Sequence, residues 1–307
     1  MSERLRFVGF AARCPLCYSQ TEPLRNVWTM ALSAGRPEDL PDFRKPPLAE
    51  TVLSLQFEPL AGLTTAHVGL LWARFRKQLP LIEEHPPLPP VFEKFEPPSP
   101  PQIEVSFEEK PPVPRVWFLN EAGSELIQVQ SDRFIHNWRK MEGLDPYPRY
   151  EPIRDKFRGE VAILEEFLRE EKLGTLVVNQ CEVTYVNHIG PTSVWERHGE
   201  VEKAFVMCSR LGDTSFLPQP EDVALRMRFV ISDPKGNAIG RLHAVVQPVW
   251  KKSDNSPILT LNLTARGVPI GEGTEGAFAF FELGRRWIVK GFADLTTPDM
   301  QRVWERI

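Results

Sequence analysis

The sequence predicts an α+β protein of two lobes, each an antiparallel sheet with one or two helices packed on one face. Three observations lead there. Segments between Thr51 and Arg266 alternate side-chain character with period two, as strands with one buried face do. Turn-rich stretches separate successive segments, among them Asp233-Pro234-Lys235-Gly236-Asn237 and Lys252-Ser253-Asp254-Asn255-Ser256, so neighbouring strands run antiparallel. Two long stretches carry apolar residues at helical spacing instead: Ile153, Phe157, Val161, Leu164 and Leu168, and then Phe278, Phe281, Trp287, Ile288 and Phe292.

The chain has 307 residues, 42% hydrophobic and 25% charged, enough for two domains, or for one large domain with two lobes, with a real core. A net charge of -4 provides no overall basic field to attract nucleic acid. The four cysteines, Cys14, Cys17, Cys181 and Cys208, are too sparse for a disulfide framework, which fits a reducing, cytoplasmic setting. No apolar run approaches the roughly 20 residues that span a bilayer, and the short apolar run Phe7–Ala12 lacks the features of a signal peptide.

Residues 1–39 show no sustained period and end in Gly35-Arg36-Pro37-Glu38-Asp39. They read as a poorly ordered extension, with residues 1–38 dispensable and Met30 an alternative start. The first lobe then covers 40–150. Thr51–Phe57 is its first strand, and Thr64-Thr65 starts a helix with Val68, Leu71, Trp72, Phe75 and Leu79 inward, ended by Pro80. Residues 80–114 hold twelve of the 30 prolines, a composition suited to polyproline II or an edge strand. A meander of Arg115–Leu119, Leu126–Gln130 and Phe134–Trp138 completes the lobe.

The second lobe covers 151–307. Its helix, about Pro152–Leu173, ends at Gly174, a good residue for the left-handed position after a helix. Strands are expected at Leu176–His188, Val223–Ile231, Ala238–Val249 and Ile258–Arg266, then a helix over Glu275–Phe292. Thr297 caps a last helix, with Pro298 at its first position and Val303 and Trp304 inward.

Several stretches are distinctive in combination: Pro41-Asp42-Phe43 through Leu55–Leu60, Asn179–Ile189, Trp287–Phe292 through Thr297-Pro298 and Trp304, with Trp138 and Tyr147–Tyr150. Together they resemble a sporadically distributed family of uncharacterised prokaryotic proteins about 250 residues long. The resemblance covers the chain from about Leu40 and implies a start near there, but it supplies no mechanism. Relatives often carry His at the position of Gln301, so no essential role rests on that histidine here.

Motifs of catalysis are weak. Cys14-Pro15-Leu16-Cys17 is half of a zinc or redox motif, without the second pair of ligands or the strand and helix it would need. His188 and His198, with Glu196 and Glu200 nearby, lack a metal-binding spacing. Cys181 shares its face with Val183 and Tyr185 and reads as a small buried hydrophobe, while His188 points the other way. The glycine-rich run Gly271–Gly276 fits no phosphate-loop spacing and is acidic. No cofactor and no metal is expected.

One constellation stands out. On the side of the second sheet opposite its apolar residues, the strands place Gln180, Glu182, Thr184 and His188; Arg226 and Arg228; Arg241, His243 and Gln247; and Thr260, Asn262, Thr264 and Arg266. If these strands are neighbours, they form a polar face with a cationic bias. The plainer reading is a solvated sheet face. From this set, Glu182, Thr184, Arg226, Arg228, Arg241, His243, Asn262 and Arg266 are the candidate ligand-binding residues, and an anion is the expected ligand. The expected function is a non-enzymatic binding or regulatory module, a homo-oligomer in the cytoplasm. The alternative is a pocket protein or enzyme for an anionic or nucleotide-like small molecule. A concave, enclosed face favours the second reading and a flat one the first.

Overall fold

The computed structural model describes residues 36–95, 113–141, 143, 147–208 and 216–307. The Cys14–Cys17 pair and residues 1–35 of the expected extension lie outside these. From Arg36 on, the chain folds as α+β around a nine-stranded antiparallel sheet. The strands are β1 Leu48–Phe57, β2 Leu81–His85, β3 Arg115–Leu119, β4 Glu125–Gln130, β5 Arg133–Arg139, β6 Val178–Ile189, β7 Leu225–Ser232, β8 Ala238–Trp250 and β9 Pro257–Gly267. Their order across the sheet is β2-β3-β4-β5-β1-β6-β9-β8-β7. Helices α1 Thr65–Phe75, α2 Tyr150–Glu170, α3 Val201–Ala204, α4 Gly273–Leu295 and α5 Pro298–Val303 complete the described elements with two short 3-10 turns.

The expected pair of sheets is therefore a single one. β1 joins the halves by pairing with β5 on one side and β6 on the other, so Leu53 lies opposite both His136 and Val183. A period of two reveals which face of a strand is apolar but not how many neighbours it has, and β1 has two. At the start of the proline-rich stretch, Leu81–His85 forms the sheet edge beside β3, the edge-strand alternative expected for that segment.

The main helices cover one face of the sheet. The stripe on α2, from Ile153 through Phe157 to Leu168, is buried against it, and Phe157 stacks on Phe134 of β5 at 5.7 Å. Phe278 and Phe281 of α4 reach Phe157 at 6.1 and 6.0 Å, tying the two helices together. α4 lies on β6, β9 and β8. Trp287, expected in the core, is only half-buried, because that position of α4 faces the rim while Phe281 and Ile288 face the sheet. Val303 is likewise half-buried. Thr297 caps α5 as the sequence indicates, accepting a hydrogen bond from the Met300 amide.

The beginning and end of the described chain dock together. The Ile307 amide donates to the Asp42 carbonyl at 2.9 Å, and Phe43 meets Phe292 edge-on at 5.2 Å. Asp39 pairs with Arg286 and Lys290, so this end of the expected extension is anchored. Gln301 holds the turn into α5 by donating to the carbonyls of Ala293 and Thr296, a structural part that needs no histidine.

The helix layer sits unusually close to the sheet at one point. Gly240 and Gly267 are cross-strand partners, and Phe280 of α4 fills the space above them. A Cβ on Gly267 would lie 2.5 Å from the Phe280 ring and 2.3 Å from the Ile239 carbonyl oxygen. Gly267→Ala should therefore destabilise the fold by about 1–3 kcal/mol, the usual cost of overpacking, as measured by urea unfolding. A variant as stable as the parent would contradict this packing.

Candidate functional site

The face of the sheet away from α2 and α4 is polar, and in the structure it spans both halves. One cross-strand row runs Arg241, Arg266, Glu182, Ser54, Ile135 and Gln128, from β8 to β4. The four strands that carry the sequence-derived candidates are neighbours, so their side chains share this face.

A segment of the chain crosses it. β2 and β3 pair directly, His85 opposite Arg115, yet the chain between them leaves the hairpin, and residues 86–95 lie over the polar face. Its chemistry explains the path. Pro86, Pro87, Pro89 and Pro90 have no N–H, so up to Val91 only Leu88 and Val91 can donate. Both amides are taken by glutamines of the sheet: Leu88 by Gln130 at 3.0 Å and Val91 by Gln56 at 2.8 Å. Gln130 returns a bond to the Leu88 carbonyl, and Arg133 donates to the Pro89 carbonyl at 3.0 Å. Further along, Gln180 accepts from the Glu93 amide at 3.4 Å.

The strap ends in a carboxylate set among cations. Glu93 accepts from Arg241 at 2.7 Å and from His243 at 2.6 Å, and Arg266 approaches at 3.4 Å. Its side chain is only 6% exposed. Arg266 also donates to Glu182 at 2.6 Å, and Arg241 lies over the Phe95 ring. Sequence reasoning counted Glu182 as the only anion among these arginines; Glu93 is the second, brought from a segment with no period to place it.

Two hollows flank this cluster. Under the strap is a cavity of about 220 Å³, lined on the sheet side by Arg115, Gln128, Arg133, Glu182 and Arg266 and roofed by Leu88 and Val91. Beyond Glu93 lies an open depression of about 550 Å³ with Arg226, His243, Asn262, Thr264 and Arg266 in its lining. Arg266 belongs to both.

The inner cavity is electrostatically unbalanced. Burial lowers the Arg133 and Arg115 guanidinium pKa values, and the charge of Arg133 lowers that of Arg115 further. For Arg133 the Asp132 and Glu182 carboxylates act the other way, and Arg266 adds to the depression. The Nε atoms of both arginines are buried without a hydrogen-bond partner. Arg133 as a whole is 8% exposed. Among the described residues three cations and one carboxylate line this cavity; Arg266 is paired with Glu182 and Glu93, and the buried Arg133 with its neighbour Arg115 calls for a counter-charge.

The remaining candidates divide. Thr184 bonds Glu182 at 3.1 Å and Thr264 at 2.8 Å, fixing the carboxylate. Asn262 has a buried, unpartnered Oδ1 at the outer depression. Arg226 is exposed at its rim, and Arg228 is exposed on β7, lining neither hollow, because edge-strand side chains have strap or neighbour on one flank only. Arg115, Arg133, Gln56, Gln128 and Glu93 were missed. The signal for the glutamines was present: Gln56, Gln128, Gln130 and Gln180 occupy outward positions where a solvated sheet would favour charge.

Other motifs settle into packing. Cys181 is fully buried on the helix side, and burial raises its thiol pKa far above the ordinary value. His198 is 5% exposed and bonds the carbonyls of Val249 and Ile258. His188 ends β6 with its amide on the Pro47 carbonyl. Among the described residues, no group of three or more His, Cys, Asp or Glu side chains could hold a metal ion, and no helix is long and apolar enough to cross a membrane. Comparison with protein-family models, curated proteins and solved structures finds no match.

Glu93 makes the strap pH-sensitive. Burial alone would raise its carboxyl pKa, but hydrogen bonds from His243 and Arg241 and the charges of His243 and Arg266 outweigh it and hold the value down at about 2. A carboxyl depressed on folding stabilises above its unfolded value of about 4.5, and that contribution fades as pH falls through the folded value. The melting temperature of Glu93→Gln should therefore lie below that of the parent at pH 6. The gap should shrink below about pH 4.5 and close towards about pH 2. A gap independent of pH would show that Glu93 is not held as a carboxylate.

Proposed function

We propose that this chain is a binding module for an anionic small molecule, taken into the strapped cavity on the polar face of the sheet. The observation behind the reading is the convergence of Arg115, Arg133 and Arg266 on one cavity with Glu182 as the only lining carboxylate among the described residues, two of the arginines keeping an unpartnered buried Nε. Arginine forks suit carboxylate and phosphate oxygens, and a partly roofed site strengthens the attraction over that at an open surface. The half-enclosed shape favours the pocket reading over a flat interaction surface. At about 220 Å³, the cavity falls below the roughly 300–1,000 Å³ of drug-sized sites, so the ligand is compact. The sparse cysteines support a reducing, cytoplasmic setting for this activity.

A thermal-shift and calorimetric series with inorganic phosphate, pyrophosphate, citrate and glutarate tests this. At one hundred times its dissociation constant, a ligand that binds only the folded state adds about 2.7 kcal/mol of stability. At least one of these anions should raise the melting temperature of the parent. The shift should be lost in Arg115→Gln and Arg266→Gln and kept in Arg228→Gln, which lines neither hollow. The reading fails if no anion stabilises the parent, or if all three variants respond alike.

A further inference from the structure

Building on the anion-binding reading, we propose that the site is bipartite and that Glu93 is an internal stand-in for half of its ligand. The ligand then carries two anionic groups. One sits with Arg115 and Arg133, and the other replaces the Glu93 carboxylate on Arg241, His243 and Arg266.

Arg241 and Arg266 are directly opposed on neighbouring strands. Like charges directly opposite one another destabilise a sheet, so this spot favours an anion. In the free protein Glu93 supplies it, from outside the sheet and on a segment that the fold does not need in that position. His85 and Arg115 are already paired, so a short turn would suffice to join β2 to β3. Instead the chain travels across the face to bring one carboxylate to two arginines and a histidine.

Most of the rest of the strap is held by neutral groups. Its described hydrogen bonds to the sheet come from Gln56, Gln130 and Gln180, with one more from the Arg133 guanidinium, and Leu88 and Val91 are only half-buried. Each bond of this kind is individually weak, because water replaces it on release. A strap so held can lift while the sheet stays folded. Arg266 connects the halves, since it lines the inner cavity and also reaches Glu93. β5 and β9 are three strand spacings apart, about 14 Å between backbones, and the arginine side chains of the two strands lean into the cavity from either side. A compact molecule with an anionic group at each end matches that arrangement. A single anion would satisfy the inner half and leave Glu93 in place.

The experiment is calorimetry with the dicarboxylates from malonate to adipate and the monocarboxylates acetate to hexanoate, on the full-length parent, Glu93→Gln and Glu93→Gln/Arg241→Ala. An occupant that must be displaced lowers apparent affinity by the fraction of time the site is open. Removing its charge should tighten the best dicarboxylate by about tenfold or more if the site is open less than about a tenth of the time. Monocarboxylate binding to the inner half should not tighten to that degree, and the added Arg241→Ala should cancel the gain. Glu93→Ala serves as a second variant should Glu93→Gln fold poorly. If dicarboxylates bind the parent but Glu93→Gln binds them no better, Glu93 is a fixed clamp and the bipartite inference is overturned. If neither mono- nor dicarboxylates bind any form while phosphate does, the inference falls and the anion pocket stands. If no anion binds any form, both fall.

Discussion

The position of β1 at the centre of the sheet is the constraint on which the rest depends. Its backbone pairs with β5 on one side and β6 on the other through most of its length. That arrangement places Arg133 of β5 and Arg266 of β9 on one surface, and it gives the strap a continuous floor of polar side chains from Gln130 through Arg133 and Gln56 to Gln180. Were the halves separate, the arginines would face water on two small sheets, and nothing would make them a site. The helix layer secures this join from the other side, where α2 and α4 meet through Phe157, Phe278 and Phe281.

Polar satisfaction then decides where the proline-rich segment goes. A chain with few free N–H groups cannot add a strand to a ladder, but it can be held at the amides it retains. Leu88 and Val91 supply those amides, and glutamines rather than charged residues receive them. Glu93 completes the path by neutralising cations that would otherwise oppose one another on β8 and β9. Strap and sheet face are thus complementary in both hydrogen bonding and charge, and the cavity is what remains between them.

Much of this was legible in the sequence. Period-two alternation located the strands from β3 through β9, and helical spacing located α2 and α4 with their buried stripes. The cationic face of β6 to β9 followed from the same alternation, and these strands are neighbours. The join at β1 was not legible, because alternation fixes a strand's faces and leaves its partners open. Arg115 was accordingly assigned to a different sheet from Arg266, and Arg133 fell just before the expected strand Phe134–Trp138. Glu93 was hidden for another reason: it meets His243 across 150 positions of sequence, from a segment without periodicity. Trp287 was misplaced because large aromatic residues on a helix suit both a core and its rim.

The account depends most directly on residues 86–95 lying on the sheet. The measurement that tests this is amide hydrogen exchange at Val91, whose N–H is bonded to the Gln56 side chain. If the strap roofs the polar face, that amide exchanges much more slowly in the parent than in Gln56→Ala, while the core strands exchange alike in both. Exchange at Val91 as fast as in an unstructured peptide, and unchanged by Gln56→Ala, would contradict the strap, the cavity beneath it and the site built from them.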